Sequence, residues 1–177
     1  DAENSNSALL VGVGPDDFAV DEASVANPLA GVEFQRRMEQ AAFRLGGGGY
    51  YAPAQTVGDF LAGRSSTGFS DVKPSYLPGV VPCDLRECLP DYVADSLRAA
   101  LPMMGRQIAG FDRPDAVLTG VESRSSSPVW ILRDERAQAS VAGLFPCGEG
   151  AGYAGGIVSA AVDGVVCAEK LIESLTE

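Results

Sequence analysis

The stretch Leu144–Lys170, LFPCGEGAGYAGGIVSAAVDGVVCAEK, decides how the rest of the chain is read. Apolar Val141–Pro146 reads as a strand that runs into Cys147-Gly148-Glu149. Gly150, Gly152, Gly155 and Gly156 follow, and a helix is expected over Gly156–Leu175. Glycines at a helix start let backbone N–H groups approach a ligand with no Cβ in the way. The first-turn amides lack intrahelical partners and carry the positive end of the helix dipole, so they favour an anion or an electron-rich oxygen. The carboxylate of Glu149, ending the strand, accepts hydrogen bonds from sugar-like hydroxyls. Ile157, Ala160, Ala161, Gly164, Val165, Ala168, Leu171, Ile172 and Leu175 share one helix face, expected to point inward, and its small residues permit close backbone approach. Glycine count alone fits a loop before an ordinary core helix equally well. The order of strand, acid, four glycines and small-residue helix favours a ligand site.

Upstream, Ser7–Val13 reads as a strand closed by Gly14-Pro15. Asn27 is a natural N-cap with Pro28 at the first helical position, and the helix runs to about Leu45, ended by Gly46–Gly49. Tyr50–Pro78 is irregular apart from one helical turn near Val57–Leu61. A short turn at Asp84–Leu89 precedes a helix over Pro90–Leu101, which Pro102 is expected to end, with another short helix at Met103–Ile108. Ala116–Glu122 and Pro128–Leu132 read as strands joined by the polar loop Ser123–Ser127. The fold class is therefore α/β in the broad sense: several helices, a small sheet, and a C-terminal strand–glycine loop–helix unit.

Composition narrows the chemistry. The 177 residues suffice for one domain with its own core. A net charge of −11 repels nucleic acid and anionic lipid, so neither is an expected partner. No run of eighteen apolar residues is present, so no membrane span is expected. The absence of histidine removes the usual neutral-pH base and the common zinc sites, so no metal is expected. Cys83, Cys88, Cys147 and Cys167 form no C-x-x-C and read as reduced thiols packed as small hydrophobes, in keeping with a cytoplasmic setting. A redox-active thiol needs an electropositive, exposed site and a resolving partner, and the sequence displays neither for Cys147. The polar start at Asp1–Ser7 is unlike a signal peptide, and an opening residue other than Met suggests a piece of a longer protein.

The glycine segment closely resembles the C-terminal flavin-binding motif of flavoproteins with two dinucleotide-binding domains. More narrowly, PCGEGAGYAGGI at Pro146–Ile157, with SAA and DG beyond it, resembles a bacterial family of FAD-dependent dehydrogenases. The likeness extends through NSNSALLV at Asn4–Val11, GVEFQRR at Gly31–Arg37, YAPAQ at Tyr51–Gln55 and VGDFL at Val57–Leu61. It continues with DLRECLPDYV at Asp84–Val93, GVESRSSSPV at Gly120–Val129 and ILRDE at Ile131–Glu135; Trp130 departs from the pattern. The resemblance implies an FAD-dependent oxidoreductase acting on a small-molecule substrate. Glu149 would meet the ribitol, Gly148 and Gly152 would shape the loop, and Gly155, Gly156 and Ile157 would turn amides toward the flavin ring. Tyr153 would stack on or hydrogen-bond the flavin, or simply cover the helix end. Arg124 would contact flavin or an acidic substrate group, or sit in a solvated turn.

It further implies that residues 1–137 belong to the domain covering the reactive face of the flavin, and 138–177 to the FAD-binding domain. The N-terminal strand–G-x-G-x-x-G–helix half of such a site is missing, because Gly12-Val13-Gly14 runs directly into Pro15. A few hydrogen bonds at about 0.5–1.5 kcal/mol each, with about 0.3–1 from the helix dipole, fall short of the ~8 kcal/mol that micromolar affinity needs. The chain by itself is expected to bind FAD weakly or not at all and to be inactive. The alternative is a non-catalytic interaction or small-anion-binding module.

Overall fold

A computed structural model of the chain describes residues 3–18 and 27–176. The chain falls into two compact units, Asp1–Gly14 with Gln35–Ser123, and Pro15–Phe34 with Arg124–Glu177. Its elements in order are α1 (Pro15–Phe18), α2 (Ala30–Leu45), β1 (Ala52–Thr56), α3 (Val57–Ala62), β2 (Val80–Pro82), α4 (Asp91–Gln107), β3 (Val117–Thr119) and α5 (Ile157–Thr176). Single 3-10 turns lie at Leu85–Glu87 and Glu149–Ala151. The fold is mixed α+β, as the sequence pattern implies.

The first unit is built on β1. This strand pairs in parallel with β2 and antiparallel with β3, in the order β2-β1-β3, with Pro53 opposite Val81 and Gln55 opposite Leu118. Its sequence, APAQT, holds a proline and no β-branched residue before Thr56, so local propensity points away from a strand and the segment was expected to be irregular. The ladder accommodates Pro53 by using it as an acceptor: Gly120 donates to its carbonyl at 2.9 Å. Tertiary pairing thus overrides propensity. The core beside the sheet contains Val57, Phe60, Leu85, Ala94 and Leu101, each worth very roughly 1–3 kcal/mol of burial for the larger apolar side chains.

Polar satisfaction makes the sheet's position specific. Gln55 is fully buried, and both ends of its amide are engaged. Nε2 donates to the Arg64 carbonyl at 2.8 Å, and Oε1 accepts from the Leu85 amide at 2.9 Å. One side chain thereby ties β1 to the loop after α3 and to the 3-10 turn. The Thr56 hydroxyl caps α3 by accepting from the Asp59 amide, and Gly63 closes it in the left-handed conformation at φ 67°. Arg98, from α4, donates to the Phe60 carbonyl at 3.2 Å and covers that same helix end. Ser66 donates to Asp59 at 2.6 Å. That bond, ahead of the one from Arg64, holds the Asp59 carboxyl below its ordinary value.

Several sequence expectations meet their outcome here. Asn27 caps the start of α2 through the Leu29 amide, 2.9 Å from its side-chain oxygen, and the glycines end that helix as expected. Gly46 is required for contact: a Cβ there would collide with the Tyr51 carbonyl. Pro102 does not end α4, which continues unbroken to Gln107. A proline in a helix forfeits one hydrogen bond and costs about 3 kcal/mol. Burial of Ala94 and Leu101, both 1% exposed, on the same helix offsets that cost. Ser7–Val13, Pro128–Leu132 and Val141–Pro146 form no strand, and the fourth expected strand shortens to β3. A strand exists only as part of a ladder. Around 139–144 the backbone bonds to itself instead, with Ala139 donating to Leu144 and Leu144 to Val141.

In the second unit, α5 turns inward a face that shares only Ala160 and Gly164 with the expected one. Cys167 is its buried residue, with Ala160, Asp163, Gly164, Lys170 and Ser174 partly covered along the same stripe. Ile157, Val165, Ile172 and Leu175, expected to point inward, are exposed, Ile157 to 94%. Gln55→Leu should lower the unfolding free energy by roughly 2 kcal/mol, because it leaves the buried Leu85 amide and the part-buried Arg64 carbonyl without these partners. Denaturant titration of that variant checks this, and a loss below about 1 kcal/mol would show that Gln55 is not a hub.

Candidate functional site

The glycine turn lies wholly in the second unit and is shaped by its own backbone. Gly148 takes φ 68°, the 3-10 turn Glu149–Ala151 follows, and Gly152 takes φ 87°. Gly152 donates to the Glu149 carbonyl and Tyr153 to the Gly148 carbonyl, both at 3.0 Å. Both positive-φ positions favour glycine. At Gly152 a side chain would also strike the Val129 carbonyl, at 2.9 Å from where its Cβ would stand. The turn is stitched to the preceding loop by Ile131, which donates to the Ala151 carbonyl at 3.1 Å, and by the Ser127 hydroxyl, 3.2 Å from the Gly150 carbonyl.

Underneath sits Arg133. A tight turn presents it, in which Asp134 accepts from the Arg136 and Gln138 amides and Ala137 adopts φ 61°. Its guanidinium donates to both carboxylate oxygens of Asp163 on α5, at 2.6 and 3.1 Å, and to the Pro146 carbonyl at 2.8 Å. It also reaches the Cys167 sulfur at 2.9 Å and lies 3.6 Å from the centre of the Tyr153 ring. Asp163 in turn accepts from the Gly148 amide at 2.7 Å. The two side chains retain only 15% and 16% of their exposure. Arg133 first, and then the Gly148 amide, holds the Asp163 carboxyl below the usual carboxylate range. Through this pair the turn is fastened to the first half of α5 from below, and its upper side stays open.

The nominated residues divide accordingly. Gly148 is buried and its amide is spent on Asp163. Tyr153 is half-buried against Arg133, meets Trp130 edge-on at 5.6 Å, and donates from its hydroxyl to the Ile131 carbonyl at 3.1 Å. Glu149, Gly155, Gly156 and Ile157 are exposed, and at Gly150 and Gly155 nothing lies within 4 Å of where a Cβ would project. Open space over glycines, an exposed carboxylate beside them and the start of a twenty-residue helix fit a polyol and an electron-rich ring edge. Arg124 is exposed in the loop that Ser127 joins to the turn. Arg133, Asp163 and Ser127 were not singled out from the sequence. The available signal was Asp163 itself, the sole charged residue in the otherwise uncharged run Ile157–Ala168, which demanded a partner.

The first unit holds a separate cavity of about 510 Å³, lined by Phe43, Tyr50, Tyr51, Tyr76, Gly120 and Val121 among others. Among the described residues, no helix is long and apolar enough to cross a membrane. No group of three or more Cys, Asp or Glu residues suited to hold a metal ion occurs among them.

An α+β chain that ends in a braced glycine turn and a long helix is the class of protein defined so far. The chain belongs to the FAD-dependent protein, C-terminal domain-like family, whose model matches residues 1–125. It is also 50% identical over 174 residues to an uncharacterized protein of Clostridium beijerinckii, across 98% of this chain and 32% of that relative. That alignment necessarily takes in the glycine turn. The chain spans about a third of the length of the curated relative it matches.

The Arg133–Asp163 pair makes a pH prediction. Asp163 has a lowered folded-state value, so its contribution is complete above the unfolded carboxylate value of about 3.9 and is lost as pH falls through the folded one. Asp163→Asn should cost about 1–3 kcal/mol at neutral pH, between exposed and buried pairs. The gap from the unaltered chain should close as the medium is acidified below about pH 4. Fluorescence of Trp130, the single tryptophan, during denaturant unfolding reads this out; a gap independent of pH would refute it.

Proposed function

We propose that the chain is the C-terminal part of an FAD-dependent oxidoreductase and supplies the ribitol and isoalloxazine side of the flavin site. The supporting observation is the braced turn: Arg133 and Asp163 fix it to α5 from beneath, while Glu149, Gly155, Gly156 and Ile157 stand exposed above. Membership of an FAD-dependent family supports the same ligand. In this reading Glu149 accepts from the ribitol hydroxyls, and the amides of Gly155, Ile157 and Gly156, the last of which donates to the Ser159 hydroxyl at 3.2 Å here, meet the electron-rich edge of the ring. Gly148, Gly152 and Tyr153 hold the shape of the loop, and Arg124 contacts the flavin or an acidic group of a small-molecule substrate. FAD, when bound, supplies the redox chemistry, and these residues bind and orient it.

In the full-length protein, residues 1–137 would cover the reactive face of the flavin and residues 138–177 would complete the FAD-binding domain. The nucleotide-binding half would lie in the portion of polypeptide that the longer relative has beyond this chain. The apolar face of α5, with Ile157, Val158, Val165, Ile172 and Leu175 exposed, is the kind of surface such a half covers. In that full-length protein, Glu149→Gln should weaken FAD binding about tenfold, equivalent to ~1.4 kcal/mol. Its exposed position means that the melting temperature of the FAD-free protein should stay unchanged. Flavin fluorescence titration measures the first and calorimetry the second. A full-length protein that is colourless and takes up no FAD would end this reading in favour of a non-catalytic binding module.

A further inference from the structure

The second unit contains two cysteines whose setting differs from that of the other two. Cys83 and Cys88 are buried in the first unit, where loss of solvation pushes their thiols up to about 11 and about 12. Neither supplies appreciable thiolate at neutral pH. Cys147, by contrast, is exposed at the start of the glycine turn, against the expectation of a packed thiol. Cys167 is buried at 3% on α5, and its thiol donates to the carbonyl of Pro146, the residue before Cys147, at 3.7 Å. The same Arg133 nitrogen lies 2.8 Å from that carbonyl and 2.9 Å from the Cys167 sulfur. Cys167 therefore packs against the backbone at the residue immediately before Cys147 in the chain.

We propose that Cys147 and Cys167 form an oxidisable dithiol, a modification site in which Cys147 is attacked by a hydroperoxide and Cys167 resolves the product as an intramolecular disulfide. The exposed Cys147 thiolate attacks one oxygen of hydrogen peroxide; the S–O bond of a sulfenic acid forms, the O–O bond breaks, and hydroxide leaves and takes up the proton lost from the Cys147 thiol as water. The Cys167 sulfur then attacks the Cys147 sulfur; the S–S bond forms, the S–O bond breaks, and hydroxide leaves and takes up the Cys167 proton as water. Each Cys147–Cys167 pair thus gives up two electrons to one peroxide. Burial opposes ionisation of Cys167, and the adjacent Arg133 guanidinium counters this by favouring its thiolate. The bridge would fasten the start of the glycine turn to the middle of α5 at the place where Arg133 already holds them. This inference is independent of any bound flavin.

The reduced 177-residue chain treated with hydrogen peroxide and then unfolded should show two titratable thiols in place of four, and a mass lower by about 2 Da from the loss of two hydrogens. Peptide mapping should place the link between Cys147 and Cys167. Cys167→Ser should stop at a Cys147 sulfenic acid that dimedone captures, and Cys147→Ser should keep its remaining thiols at the same peroxide dose. Retention of all four thiols, a link that includes Cys83 or Cys88, disulfide-linked dimers, or an equal response from Cys147→Ser would each overturn the proposal. Mapping of the unaltered chain decides the matter even if a variant fails to fold.

Discussion

A polar group withdrawn from water must find a partner for each donor and acceptor, and each unit of this protein is organised around one side chain that meets that demand. In the second unit it is Arg133. Its five donors in a planar fork suit it to bind several acceptors at once, and here they engage a carboxylate, a carbonyl and a thiol. Remove it, and Asp163 keeps only the Gly148 amide as a partner for a largely buried charge. In the first unit Gln55 has the same role with a neutral amide, joining a strand, a loop and a turn that share no regular hydrogen-bond ladder. Arg133 braces the turn that the proposed function uses.

The underside of the glycine turn is therefore as informative as its open face. Gly148 occupies an unusual backbone conformation, φ 68° and ψ −160°, and its N–H is directed down into Asp163. That leaves the next residues to rise over the helix start, with the Glu149 carboxylate outward. A turn held by one guanidinium and one carboxylate is stiff without a large apolar core, which suits a site that must present backbone amides in a fixed direction. The same arrangement holds Cys167 beside Arg133 and against the Pro146 carbonyl, one residue before Cys147, the basis for the dithiol proposed above.

The exposure of α5 gives the proposed flavin role a structural context. Twenty residues of helix bury a single cysteine, and the opposite face displays valine, isoleucine and leucine. Such a contiguous apolar surface marks a place of contact with another surface. The chain spans about a third of the relative it matches, so ample polypeptide exists in that relative to cover the corresponding face. Membership of the FAD-dependent family supports an association of the full-length protein with FAD.

Local signals in the sequence were enough for the mixed α+β class, for α2 with its Asn27 cap and glycine stop, for α3 and for the extent of α5. Glycines, caps and helical periodicity act through neighbours in the chain and are legible there. The glycine turn was legible for the same reason. What depended on distant partners was not: APAQT becomes the central strand only because β2 and β3 supply its ladder, and α4 passes through Pro102 because Ala94 and Leu101 are buried. Periodicity found an apolar stripe on α5, but the stripe turned inward is the one that carries Asp163 and Cys167, which bond to Arg133 thirty and thirty-four residues away. Local chemistry thus determined most of the helices and where the glycine turn stands. Which face each element buries, and which groups brace that loop, required the tertiary structure, because those choices are set by the partners that satisfy buried polar groups.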